Sequence, residues 1–284
     1  MPSSASSAAR GTTAASQAGI SRVHQAFADL KRRHRKALII YVMAGDPNPA
    51  FTARLVPRLA EAGANLVELG YPFSDPVADG PVIQAAGQRA LRQFAGLDDF
   101  FALIRQIRAR CGLPLLAMTY YNLIFRYGEA AYVRNGLAAG LDGTIIPDLP
   151  LVEAATWHAQ CLSQGMAPVF LEAPNTPDED AQRIARTPQG FIYLVSLKGV
   201  TGSDRGLGEN LAQRVQRLRA WTDTPLVVGF GISTPEQARQ MGALCDGVVV
   251  GSGVVSRLAQ AKSPDAAEGA VLDYVRALRA GLDG

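Results

Sequence analysis

Residues 65–81 read NLVELGYPFSDPVADGP. They divide into an apolar run that ends at Gly70, a loop broken by Pro72 and Pro76, and a Gly80-Pro81 step into a helix-like segment, VIQAAGQRAL. Strand, loop and helix in that order make one βα unit. One residue is out of place. Glu68 lies in the apolar run, where a carboxylate adds nothing to core stability. Asp75 and Asp79 follow within eleven residues.

The same unit recurs along the chain. Short apolar runs stand at ALIIYVM (37–43), NLVEL (65–69), PLLAMT (114–119) and GTII (143–146), then at APVFL (167–171), FIYLV (191–195), PLVVGF (225–230) and DGVVV (246–250). Several are rich in Val and Ile, as strands buried on both faces should be. Between them lie amphipathic segments with helix punctuation. FTARLVPRLAEAG ends on a glycine cap, and DDFFALIRQIRARCG opens on acids and closes on basic residues and Gly112. TPEQARQMG places Thr234 at the N-cap, Pro235 at N1 and Gln237 at N3. Eight strands with intervening helices predict a (β/α)8 TIM barrel over residues 18–284, preceded by a helix over SRVHQAFADLKRR. An open doubly wound sheet is the alternative, but at this length it calls for a second domain.

The chain has 284 residues, 48% hydrophobic and 19% charged, with a net charge of +3. That suits one large globular domain and offers no extended basic surface for nucleic acid. KRRHRK (31–36) closes the first predicted helix and reads as a solvated helix end. The three cysteines, Cys111, Cys161 and Cys245, are widely spaced, which argues against a disulfide framework or a zinc site and fits a reducing, cytoplasmic setting. No run of 18 apolar residues predicts a membrane span. Residues 1–17 are small, polar and free of acids, as in a disordered extension, and their composition overlaps that of organelle transit peptides.

In such barrels ligands sit at the carboxyl ends of the strands, and the loops after strands seven and eight often hold a phosphate. Those loops read GFGIS (229–233) and GSG (251–253), with Ser252 as a hydroxyl donor; LKGVTGSDRGLG (197–208) follows strand six. Each glycine alone serves a tight turn equally well. The three histidines, His24, His34 and His158, fall in predicted helices, which leaves no His-ligated metal site. Of four lysines only Lys198 follows a strand, as a Schiff-base chemistry would need, but beside Gly199 it reads as solvated.

The carboxylates remain. In NLVELG, Leu66, Glu68 and Gly70 share one face. If that face points inward, desolvation raises the Glu68 pKa and equips it for proton transfer near neutrality. The competing reading pairs Glu68 with an arginine. Asp79 has two open readings: catalyst, or N-cap of the following helix.

VELGYPFSDPVADGP strongly resembles the signature of the tryptophan synthase alpha chain family. The resemblance continues through AGDP (44–47), TYYNLIF (119–125), IIPDLP (145–150), APVF (167–170), YLVS (193–196), GVTG (199–202), GFGIS and GSG. It implies retro-aldol cleavage of indole-3-glycerol phosphate to indole and glyceraldehyde 3-phosphate, with no metal or cofactor in this chain. It implies Glu68 and Asp79 as the catalytic pair and Tyr41, Tyr120 and Tyr193 as pocket aromatics. Thr201 would position Asp79, and Gly202, Gly231, Gly251 and Ser252 would bind phosphate. It further implies a pyridoxal-phosphate-dependent beta chain as partner in an alpha2-beta2 tetramer, met by Asp75, Pro76 and Asn122. The chain departs from the family's common pattern at Tyr71 and in its N-terminal extension. A stand-alone indole-releasing lyase and a non-catalytic phosphate-binding barrel are the alternatives.

Overall fold

The computed structural model describes residues 18–195, 204–229 and 231–284. The predicted extension, residues 1–17, lies outside them. Eight parallel strands follow in chain order: β1 (Ala37–Met43), β2 (Leu66–Gly70), β3 (Leu115–Met118), β4 (Gly143–Ile145), β5 (Ala167–Glu172), β6 (Ile192–Val195), β7 (Leu226–Gly229) and β8 (Gly247–Val250). Each pairs with its successor, and β8 pairs back onto β1 through Ile39 and Val249, so the sheet closes and the open alternative is excluded. The helices are α1 (Ala18–Arg32), α2 (Pro49–Glu61), α3 (Pro81–Ala90), α4 (Leu97–Arg108), α5 (Tyr121–Tyr127) and α6 (Glu129–Ala139), then α7 (Ala155–Gln164), α8 (Asp178–Arg186), α9 (Asp204–Arg219), α10 (Pro235–Leu244), α11 (Ser252–Gln260) and α12 (Pro264–Asp283).

Strand alternation divides the core in two. Ile39, Tyr41, Leu66, Leu116, Ile145, Tyr193, Val227 and Val249 pack together inside the barrel. Leu38, Ile40, Val67, Leu69, Leu115, Ala117, Val228 and Val248 pack outward under the helices. Both layers exist because a parallel strand is buried on both faces.

Local signals hold in part. The Asn48 side chain accepts from the Phe51 N–H at 2.9 Å to start α2, and Gly63, at φ +105, follows the C-cap Ala62. Thr234 caps α10 by accepting from the Gln237 N–H at 3.2 Å. Gln237 reaches back to the Ser233 N–H at 2.9 Å, one residue earlier than in a standard capping box. Gly112, however, is not a cap. α4 ends at Arg108, with Ala109 in ordinary right-handed geometry, and the Arg108 guanidinium bonds the carbonyls of Cys111, Leu113 and Gly140 instead.

The N-terminal mouth of the barrel is stoppered by α1. Its Val23, Phe27 and Leu30 join the inner cluster, and Phe27 meets the Phe191 ring at 5.7 Å. Arg22 of α1 pairs with the buried Asp142, which also accepts from Arg108 at 2.6 Å and from the Leu115 N–H at 2.8 Å. The basic run 31–36 is more than a solvated helix end: Arg35 pairs with Asp283 at 2.7 Å and Lys36 donates to the Cys245 carbonyl at 2.7 Å. His34 lies past the helix, in a turn at φ 53, rather than in it.

Asp142 is fully buried and bound by two cations, so removing it strands the Arg108 charge beneath β3. Asp142→Ala is expected to lower unfolding free energy by about 3–5 kcal/mol. Arg22→Ala, at the outer and partly exposed end of the network, is expected to cost about 1 kcal/mol or less. Urea denaturation of the two variants checks the ordering.

Candidate active site

Glu68, the central residue of β2, points into the barrel. It stands opposite Tyr41 of β1 and Leu116 of β3 in the sheet register. The residue is 1% exposed, and among the described residues neither carboxyl oxygen has a hydrogen-bond partner. No described arginine pairs with it, against the arginine-pairing reading. A buried carboxylate without a partner is expensive to ionise. Desolvation pushes its pKa up from 4.5 to about 8, so at neutral pH it is mainly a protonated acid.

Two tyrosine rings share the chamber because glycines make room for them. A Cβ on Gly70 would fall on the Tyr41 hydroxyl, and a Cβ on Gly229 on the Tyr193 hydroxyl. Burial raises both phenols well above their usual pKa, and nearby Glu68 and Asp79 add to the shift. They remain neutral walls.

Asp79 reaches the same chamber from the β2–α3 loop. It is not a helix cap: Gly80 occupies the N-cap of α3 with no side-chain bond, and the Asp79 carbonyl accepts from Gln84 at 2.8 Å. Its carboxylate accepts from the Tyr120 hydroxyl at 3.1 Å, and that hydroxyl accepts from the Ala78 N–H at 3.1 Å. Phe73 stacks on the Tyr120 ring at 5.0 Å. Tyr120 therefore stands behind the loop and orients Asp79; it does not line the cavity as a pocket aromatic. Burial raises the Asp79 pKa, while the Tyr120 bond works in the opposite direction. Tyr71 turns away from the site onto Phe94 and Phe100, at 5.6 and 5.3 Å, so the departure at this position leaves the chamber untouched.

The cavity measures about 270 Å³. Glu68 and Asp79 line it together with Tyr41, Tyr193, Met118, Val82, Ile83, Ile232 and Val249, and Gly231, Gly251 and Ser252 complete its rim. Gly231 takes φ +80, a left-handed turn that side chains resist. Gly251 precedes α11, which begins at Ser252. Amide donors at a helix start suit an anion. Two acids, an apolar middle and an anion-suited rim together fit proton transfer on a flat apolar group that carries a phosphate. Thr201, Gly202 and Lys198 lie outside the described residues, as does Phe230.

Sequence reasoning missed Met118 and Val249, which two-residue alternation along β3 and β8 could have found; Val82 and Ile83 carried no signal in the sequence. The histidines lie elsewhere: the imidazoles of His24 and His158 hydrogen-bond with the carbonyls of Gln189 and Pro188, at 3.0 and 2.8 Å. Asp75 is exposed and Pro76 half-buried on the loop after β2, and Asn122 is exposed in the first turn of α5, after β3.

The orphaned carboxyl has a measurable signature. Between pH 4.5 and about 8 the unfolded chain carries Glu68 ionised and the folded chain carries it protonated. The residue's contribution is therefore most favourable below pH 4.5 and is lost as pH rises toward 8. Glu68→Gln is expected to raise the unfolding midpoint by several degrees at pH 8 and hardly at all at pH 4.5. Calorimetry across this range checks the sign, and a constant difference would contradict it.

The family model for the tryptophan synthase alpha chain matches residues 27–281. The chain is 44% identical over 236 residues to the tryptophan synthase alpha chain of Geobacter sulfurreducens, spanning 83% of this chain and 89% of that one. It is 46% identical over 237 residues to that of Methanosarcina mazei, spanning 82% and 85%. Among solved structures, tryptophan synthase subunit alpha from Legionella pneumophila superposes with a TM-score of 0.83 at 34% identity, over 92% of this chain and 98% of that one. Tryptophan synthase from M. tuberculosis in its aminoacrylate-bound form gives 0.82 at 31% identity, over 92% and 99%. With its closed barrel and its signature loop in place, the chain belongs to the tryptophan synthase alpha chain family.

Proposed function

We propose that Glu68 and Asp79 are the acid–base pair with which this chain carries out its family's reaction. That reaction is the retro-aldol cleavage of indole-3-glycerol phosphate to indole and glyceraldehyde 3-phosphate, a lyase step in tryptophan biosynthesis. The observation that carries the assignment is the partnerless, buried Glu68 carboxyl facing the same 270 Å³ cavity as Asp79.

The protons balance around one carboxyl. Glu68 starts protonated, as its pKa near 8 requires, and gives its proton to indole C3. The positive charge that develops on the ring nitrogen is stabilised by the Asp79 carboxylate accepting from the indole N–H. The carbon–carbon bond to the glycerol chain then breaks, and its electron pair returns to the ring as the imine reverts to the aromatic enamine. Glu68, now a carboxylate, takes the hydroxyl proton of the departing carbon as that carbon becomes an aldehyde. The acid is regenerated in its starting form. Ring protonation makes indole the leaving group, so the step calls on neither a lysine nor a metal as electron sink.

Around this pair, Tyr193, Tyr41, Met118 and Val249 form the walls for the indole. Gly231, Gly251 and Ser252 hold the phosphate, with Gly202 and Thr201 assigned to the same closure by resemblance alone. Tyr120 keeps Asp79 aimed at the ring nitrogen.

The family's alpha subunit pairs with a beta subunit, to which the pyridoxal phosphate belongs. Asp75, Pro76 and Asn122 are assigned to that contact, in an alpha2-beta2 tetramer. Supporting it, the exposed large apolar side chains Val77, Phe125 and Val152 lie on the segments after β2, β3 and β4, in the same region. Indole is apolar enough to escape through membranes, which makes direct hand-over to a partner advantageous. We assign the chain to the cytoplasm, in keeping with three free, buried cysteines.

Indole release from indole-3-glycerol phosphate tests these assignments. Glu68→Gln and Asp79→Asn are each expected to cut turnover by about 10² or more while folding normally. Wild-type-like rates in both variants would remove the acid–base pair. Added beta chain is expected to stimulate release strongly; full activity without it would favour a stand-alone lyase.

A further inference from the structure

Tyr274, on α12, stands behind the two loops that form the glycine rim. It is buried, and its hydroxyl donates to the Ser233 carbonyl at 2.8 Å, on the loop after β7. The same hydroxyl abuts Gly253, in the first turn of α11 after β8; a Cβ there would overlap it. Arg257 of α11 lays its guanidinium carbon 3.5 Å over the Tyr274 ring and donates to the Gly253 carbonyl at 2.8 Å. One phenol thus touches the backs of both loops, two residues from Gly231 on one and one residue from Ser252 on the other.

The position has a geometric consequence. The β7–β8 ladder ends at Val228 and Val248, so the rim residues beyond it are not held together by sheet pairing. A phosphate gripped by donors from two separate loops needs their spacing fixed to within about 0.5 Å. Tyr274 supplies that spacing: a hydrogen bond restrains the β7 loop, and van der Waals contact with Gly253 restrains the start of α11. The Arg257 stack fixes the ring itself, since a cation held over an aromatic face resists tilting. The bond from Arg257 to the Gly253 carbonyl ties that stack to the same helix start.

We infer that Tyr274 is a positioning residue for the anion subsite, setting the separation of Gly231 from Gly251 and Ser252 to fit a phosphate monoester. The inference rests on the reading of this rim as the phosphate site. Gly253 belongs to the same device, as the residue whose lack of a side chain lets the phenol reach Ser233.

Four variants of the full chain test it: Tyr274→Phe, Gly253→Ala, Arg257→Gln and, as a probe of the rim itself, Ser252→Asp. Three quantities are read: competitive inhibition by inorganic phosphate, the kinetics of indole-3-glycerol phosphate cleavage, and the slow rate on indole-3-glycerol, which lacks the phosphate. Tyr274→Phe is expected to weaken phosphate inhibition and raise KM by about three- to tenfold, the scale of one lost hydrogen bond. Turnover at saturation and the rate on the phosphate-free analogue should change by less than about twofold. Gly253→Ala should act in the same direction. Ser252→Asp should abolish phosphate inhibition through like-charge repulsion.

If Ser252→Asp abolishes inhibition and Tyr274→Phe leaves it unchanged, the role of Tyr274 is overturned while the rim stands. If Ser252→Asp leaves inhibition intact, the rim reading falls and takes the inference with it. Equal losses on the phosphorylated and phosphate-free substrates would reduce Tyr274 to a packing residue. Should Tyr274→Phe fail to fold, Arg257→Gln, which keeps the phenol but releases its ring, carries the same comparison.

Discussion

Everything at this site depends on the cost of ionising one carboxyl inside a closed sheet. A parallel barrel buries both faces of every strand, so a residue on the inward alternation of β2 has little access to water. Glu68 occupies that alternation with no cation or N–H group among the described residues to offset its charge. Its proton is therefore retained near neutrality, and a residue that would be a spectator carboxylate on the surface becomes a usable acid. The neighbouring chamber wall preserves this state. Tyr41 and Tyr193 line the same chamber as neutral phenols, and the glycines at 70 and 229 leave room for their hydroxyls.

The second acid is handled differently. Asp79 sits on a loop, less enclosed, and its carboxylate accepts from Tyr120. Burial and that hydrogen bond act in opposite directions on its proton, which separates the behaviour of the two carboxyls. One is suited to give a proton and take it back; the other is suited to hold negative charge against a developing cation. The strand supplies the first because it must not move. The loop supplies the second, braced from outside by Phe73 and Tyr120. The glycine rim lies on the loops after β7 and β8, and the barrel carries it opposite Glu68 on β2 and Asp79 on the loop that follows.

Much of this was legible in the sequence where the physics is local or periodic. The eight strands were visible because buried parallel strands are apolar throughout, and two-residue alternation put Glu68 on one face with Leu66 while leaving open which face points inward. The rim was visible because close approach to an anion at a βα turn calls for glycine. Contacts between distant segments were not visible. Whether Asp79 caps the following helix was undecidable from the loop alone. In the structure Gly80 takes the cap position and the Asp79 carboxylate accepts from Tyr120, 41 residues away. The same reason hid the reach of the Arg108 guanidinium to the carbonyls of Cys111, Leu113 and Gly140, and the partners of the 31–36 basic run, which are Asp283 and the Cys245 carbonyl. Tyr274 gave no sign at all, since its partners come from two other segments.

The most direct measurement is the titration of the Glu68 carboxyl itself, by carbon-13 NMR of the specifically labelled chain without ligand, assigned by its loss in Glu68→Gln. The account predicts a single transition near pH 8, with the carboxyl protonated through neutrality. A transition near the ordinary value of 4.5 would mean that the group is hydrated or paired, and the proton source at the centre of the proposed chemistry would be gone.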